Sequence, residues 1–107
     1  MADFKNVFRD AIAAAQGKLE AQAPGAQQFL RDVADAHKKS LASLLAAFAD
    51  GKIDQPTLES ELADEKLVFQ GELLAVQAIA KKAAQDAANA FFDVIDKALV
   101  AGIGGLL

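Results

Sequence analysis

The sequence contains no cysteine, tryptophan or tyrosine, a single histidine, a single methionine and two prolines, and all of its aromatic residues are phenylalanine. Without thiols there can be no disulfides, thiolate metal sites or cysteine nucleophiles. With so few prolines and few β-branched residues, nothing in the composition favours strands. A long apolar run is also missing. Uncharged stretches such as Ala98–Leu107 reach only ten residues, against roughly 18 for a spanning helix. The opening Met1-Ala2-Asp3-Phe4-Lys5 lacks the apolar centre of a secretory signal. A soluble and, by default, cytoplasmic protein is expected.

Positive charge is in deficit. Eleven Lys and Arg face 15 Asp and Glu, for a net charge of −4. Such a field repels a phosphate backbone, so nucleic-acid binding is not expected. What the chain does have is alanine, nearly one residue in four, and a hydrophobic fraction of 53% with 24% charged residues. That is too apolar for disorder and rich in helix formers. One all-α domain over residues 1–107 is the expectation.

The apolar residues recur at helical spacing. Between 3 and 22, Phe4, Val7, Phe8, Ala11, Ile12, Ala15 and Leu19 share one arc, with Asp3 as a possible N-cap. Ala23-Pro24-Gly25 ends this helix, because Pro24 disfavours a helical Ala23 and Gly25 permits a turn. A second arc over 26–49 collects Phe29, Leu30, Val33, Ala34, His37, Leu41, Leu44, Leu45 and Phe48, and stops at Asp50-Gly51. A third helix starts at Asp54, with Pro56 in its first turn, and its periodicity runs from 55 to 100. Unbroken, it would be about 69 Å long, equal to the first two combined. Gly71 is its one weak point, and a kink there would give four helices instead of three. The glycine-rich tail 101–107 has no periodicity and reads as a frayed end.

This third segment is apolar on two sides. One stripe holds Leu58, Leu62, Phe69, Leu73, Val76, Ala83, Ala87, Phe91, Val94 and Ala98; a second holds Leu67, Leu74, Ala78, Phe92 and Leu99. Small residues over 79–90 would admit another helix at close range. Two shorter helices of the same chain have few ways to cover both stripes over the whole length of such a partner. The expected architecture is therefore an antiparallel bundle of three helices completed by self-association, most simply a two-fold dimer.

Motifs for chemistry are few. Asp50-Gly51-Lys52-Ile53-Asp54 resembles half of a calcium loop, but the remaining ligand positions fall on Ala46, Phe48 and Thr57. A helix end followed by a helix start explains the segment better. His37 lies at the centre of the second arc, with Ser40 one turn away, yet there is no Glu-x-x-His pair and no oxyanion loop. It reads as a core or interface histidine bonded to a partner. Buried without an acidic partner, it would make acidification destabilising; paired with a glutamate of the third helix, it would make acidification from pH 8 towards 6 stabilising. Glu61, Glu65 and Glu72 lie on one side of that helix and, with Asp54, Glu59 and Asp64, make 50–72 the acidic part of the chain. Lys38-Lys39 and Lys81-Lys82 are isolated pairs.

No catalytic, cofactor-binding or metal residue is assigned. The small secreted WXG proteins share the length and helical character, but Phe48-Ala49-Asp50-Gly51 stands where their Trp-x-Gly turn would be, and no family is assigned. The expected function is that of a non-enzymatic helical interaction protein acting as a homo-oligomer. The alternative is reversible binding to a lipid or granule surface through Phe4, Phe8, Phe29 and Phe48, with no transmembrane segment.

Overall fold

A computed structural model describes residues 4–19, 25–75 and 79–101, with side chains to residue 99. Among the described residues the chain forms four helices and no strand: α1 (Phe4–Lys18), α2 (Ala26–Ala49), α3 (Gln55–Leu74) and α4 (Lys81–Ala101). Each helix packs on its neighbours in the chain, and α4 closes the ring on α1; the backbones of the diagonal pairs α1/α3 and α2/α4 stay apart. The result is a helical bundle of 41 × 24 × 19 Å.

The turn between α2 and α3 follows from three residues. Gly51 takes φ 75°, which its missing side chain permits, and the Lys52 and Gly51 N–H groups bond back to the carbonyls of Ala47 and Phe48. This is the glycine-closed helix end in which two otherwise orphaned carbonyls are satisfied. Three residues later the Asp54 carboxylate accepts the Thr57 N–H at 2.9 Å, capping α3, with Pro56 in the first turn. The segment is thus a cap followed by a cap. Gly25, at φ 95°, opens α2 in the same left-handed region. The other elements expected near it, Pro24 and the end of the first helix over 20–22, lie outside the described residues, as do Asp3 and the tail 102–107.

The helix expected over 55–100 is not continuous. α3 ends at Leu74 and α4 begins at Lys81, so the interruption lies beyond Gly71, which sits inside α3. The change of direction alters the burial of both stripes. Phe91, Phe92 and Ile95 of α4 all point into the core, since α4 has a neighbour on either side. The alanines of the small-residue segment, Ala83, Ala84, Ala87 and Ala88, are buried, as are Ala11 and Ala15 of α1, and α1/α4 is the most extensive helix pair. Small side chains there admit a helix of the same chain. Leu67 and Leu74 do not follow Phe92 inward and stay exposed; Val76 and Ala78 lie outside the described residues.

A single aromatic layer crosses the bundle. Phe69 of α3 stacks on Phe91 of α4 at 4.7 Å, Phe91 meets the edge of Phe8 of α1 at 5.7 Å, and the His37 ring of α2 lies 5.7 Å from Phe69. Lys38 places its ammonium 5.5 Å from the Phe8 ring, which closes the circuit from α1 to α2.

Gly71 yields a stability prediction. It lies inside α3 without a positive φ, and a Cβ added there meets nothing within 4 Å. Gly71→Ala should raise the unfolding free energy by about 0.5–1 kcal/mol in urea melts. A loss of stability would mean that α3 is not helical through residue 71.

Candidate functional site

His37 is the one polar side chain buried in the described core, at 7% exposure. It occupies the face of α2 that carries Val33, Ala34 and Leu41, so helical periodicity alone drives it inward. Both ring nitrogens find carboxylates from α3. Nδ1 lies 2.6 Å from Glu65 Oε2, and Nε2 lies 3.0 Å from Glu72 Oε1. The Ser40 hydroxyl donates to the other oxygen of Glu65 at 2.6 Å. Glu65 and Glu72 are seven residues apart, two helical turns, which sets them on one side of α3 with the ring between them.

The chemistry of this Ser-Glu-His-Glu chain is restrictive. Ionised carboxylates only accept hydrogen bonds, so each contact is a hydrogen bond only where the facing ring nitrogen carries an N–H. Ser40 bonds the carboxylate and not the ring, so His37 is not placed to take its proton as a general base would. The two carboxylates flank opposite nitrogens and do not converge on a common point; among the described residues no three His, Asp or Glu side chains form a metal-binding group. What the cluster does is fix α2 against α3. A buried polar group with only a few satisfying positions specifies the register of its partner helix. The carboxylates that meet His37 are those of Glu65 and Glu72.

The remaining acidic residues divide. Glu61 and Asp64 point outward from α3 and Asp54 caps it. The bonds of Asp54 with the Thr57 side chain and N–H hold its carboxyl below the usual range. Glu59 instead lines an open groove between α3 and α4, with Leu58, Leu62, Lys66, Phe92, Asp96 and Leu99. Sequence reading missed this groove, since its acids come from two helices joined through a reversal that has no sequence marker. Desolvation pushes the Asp96 carboxyl above the usual carboxylate range; Asp93 and Glu59 add to the effect and Lys66 opposes it.

A second groove was also missed. Between α1 and α2, Lys5, Arg9, Arg31 and Lys38 surround Phe8, Ile12 and Ala13, with Asp35 as the single acid. Arg9 and Arg31 are the two arginines of the whole chain. The readable signal was Lys5 with Arg9 at i,i+4 and Arg31 with Lys38 at i,i+7, on two arms of one hairpin. Lys39, Lys81 and Lys82 are exposed and take no part in it.

No family model matches the chain, and neither a curated protein nor a solved structure matches it. No helix among the described residues is long and apolar enough to cross a membrane.

Two measurements check the site. In a double-mutant cycle, His37→Leu and Glu65→Ala should show a coupling of about 1–2 kcal/mol, as expected for a charge-assisted bond in a part-buried site. Glu72, more exposed than Glu65, should couple less; zero coupling at both would remove the cluster. For Asp96 the folded state binds its proton more tightly than the unfolded state, so its stabilising effect is present at low pH and is lost as pH rises through the raised value. Asp96→Asn should therefore raise the melting temperature at pH 7, with the gain vanishing below about pH 3.9, the unfolded value. An equal gain at both pH values would show that charge is not the cause.

Proposed function

We propose that this protein is a non-enzymatic helical interaction module that acts as a homo-oligomer. The observation that carries the reading is the outer face of α3. The exposed large hydrophobics among the described residues are Leu67, Val68 and Leu74, all on this one helix, with Leu67 at 69% and Val68 at 54% exposure. At 100° per residue they fall with Glu61, Asp64 and Gly71 in an arc of about 140°, opposite the stripe of Leu58, Leu62, Phe69 and Leu73 that enters the core. Single exposed apolar residues are ordinary, whereas three on one helix face form a patch that association would cover.

Binding to a lipid surface is the second reading. The α1/α2 contact is the least extensive in the bundle, so this arm would open first. Phe4 and Phe8 are buried, Phe8 against Phe91 of α4, and Phe29 is half-buried, so anchoring through them requires α1 to leave the bundle. Liposome cosedimentation of the intact chain reports on it directly.

The oligomer reading predicts that light scattering after size exclusion, at tens of micromolar, gives a mass above the 11.2 kDa of one chain. Leu67→Lys with Val68→Lys should return it to one chain with helicity unchanged. A strictly monomeric wild type would contradict the reading.

A further inference from the structure

The outer face of α3 and the groove between α1 and α2 are complementary, and we infer that α3 of one copy docks in the α1/α2 groove of the next. The inference rests on the self-association reading and names its two surfaces. The groove offers Ile12 and Ala13 beside the Phe8 ring, rimmed by Lys5, Arg9, Arg31 and Lys38 against one acid, Asp35. It carries an excess of three positive charges on a chain whose net charge is −4. Among the described residues Lys5, Arg9 and Arg31 form no ion pair. Arginine in particular suits carboxylates, through two parallel N–H donors.

The stripe on α3 has the matching composition. Leu67, Val68 and Leu74 provide the apolar part, and Glu61 and Asp64 precede them on the same arc. Neither acid has a hydrogen bond or ion pair among the described residues, while Glu65 and Glu72, on the flank of α3 facing α2, are already engaged by His37. An amphipathic helix laid in an apolar groove is a common recognition mode, and opposite charges on the rim set its direction. Gly71, in the middle of the stripe, has open space where a side chain would be, which allows close approach of the groove wall.

Donor stripe and acceptor groove are different patches. Where each copy gives its stripe to one neighbour and takes the stripe of another in its groove, the contact is heterologous; two copies that exchange both patches about a two-fold axis close as a dimer. Mass should increase with protein concentration, and association should weaken as salt screens the rim.

Complementation between two crippled variants tests this. Arg9→Glu with Arg31→Glu disables the groove and leaves the stripe; Leu67→Glu with Val68→Glu disables the stripe and leaves the groove. All four positions are exposed, and circular dichroism checks that both variants fold. In light scattering, each variant alone should be at least tenfold weaker in self-association than wild type and run as one chain. Mixed in equal amounts, they should form a complex of one copy each, at twice the single-chain mass. If wild type associates but the mixture stays monomeric, the docking is overturned and the self-association reading survives. A wild type that is monomeric at all concentrations overturns both. A monomeric wild type that binds phosphatidylglycerol vesicles, with binding lost in Arg9→Glu/Arg31→Glu, assigns the groove to lipid headgroups and overturns the docking.

Discussion

The bundle depends on the contact between Phe69 and Phe91. These rings, stacked at 4.7 Å, join α3 to α4 at the level where Phe8 arrives from α1 and His37 from α2. Offset-stacked and edge-on ring pairs add roughly 0.5–1.5 kcal/mol each beyond the area they bury. Phe92 meets both Phe69 and Phe91 edge-on, at 5.6 and 5.1 Å, so adjacent residues of α4 contribute to one cluster. Adjacent residues on a helix point about 100° apart. Both reach the core because α4 lies between α1 and α3, and that position exists only because the chain turns back after Leu74.

The reversal also explains where polar groups are placed. Because α3 packs on α2 along one flank and on α4 along another, its apolar residues and its acids are sorted by direction. Glu65 and Glu72 face α2 and meet His37; Glu59 faces α4 beside Asp96; Glu61 and Asp64 face neither. The acidic segment of the chain is thus three different environments. His37 is the counterpart on α2, and its neighbour Lys38 turns towards α1 and the Phe8 ring. Two consecutive residues therefore connect α2 to both of its partners.

Much of this was legible in the sequence, and the part that was not has a definite cause. The arcs of α1 and α2, the end at Gly51 and the start at Asp54 follow from local rules, because each rests on residues within a turn of one another. The inward position of His37 was legible for the same reason. Its partners were legible only as a class, acids of the next helix, because the pairs span 28 and 35 residues and depend on register. The break between α3 and α4 was not legible. No glycine or proline occurs from Glu72 to Lys81, and periodicity persists across it, so Gly71 attracted the expectation of a break that occurs later. The small side chains over 79–90 pointed correctly to a close helix neighbour, but that neighbour is α1 of the same chain.

The reversal between α3 and α4 is the feature from which the core, the groove between these two helices and the exposed stripe follow, and a distance measurement tests it directly. Ser60 and Lys97 are exposed positions on the two helices, beside the groove formed by Leu58, Glu59, Asp96 and Leu99. Spin labels at these sites, read by pulsed dipolar spectroscopy on chains diluted with unlabelled protein, should be separated by about 10–25 Å, the spacing of packed helices plus the label arms. A continuous helix over 55–100 would hold them about 56 Å apart. A distribution centred there would contradict the four-helix bundle and every surface derived from it.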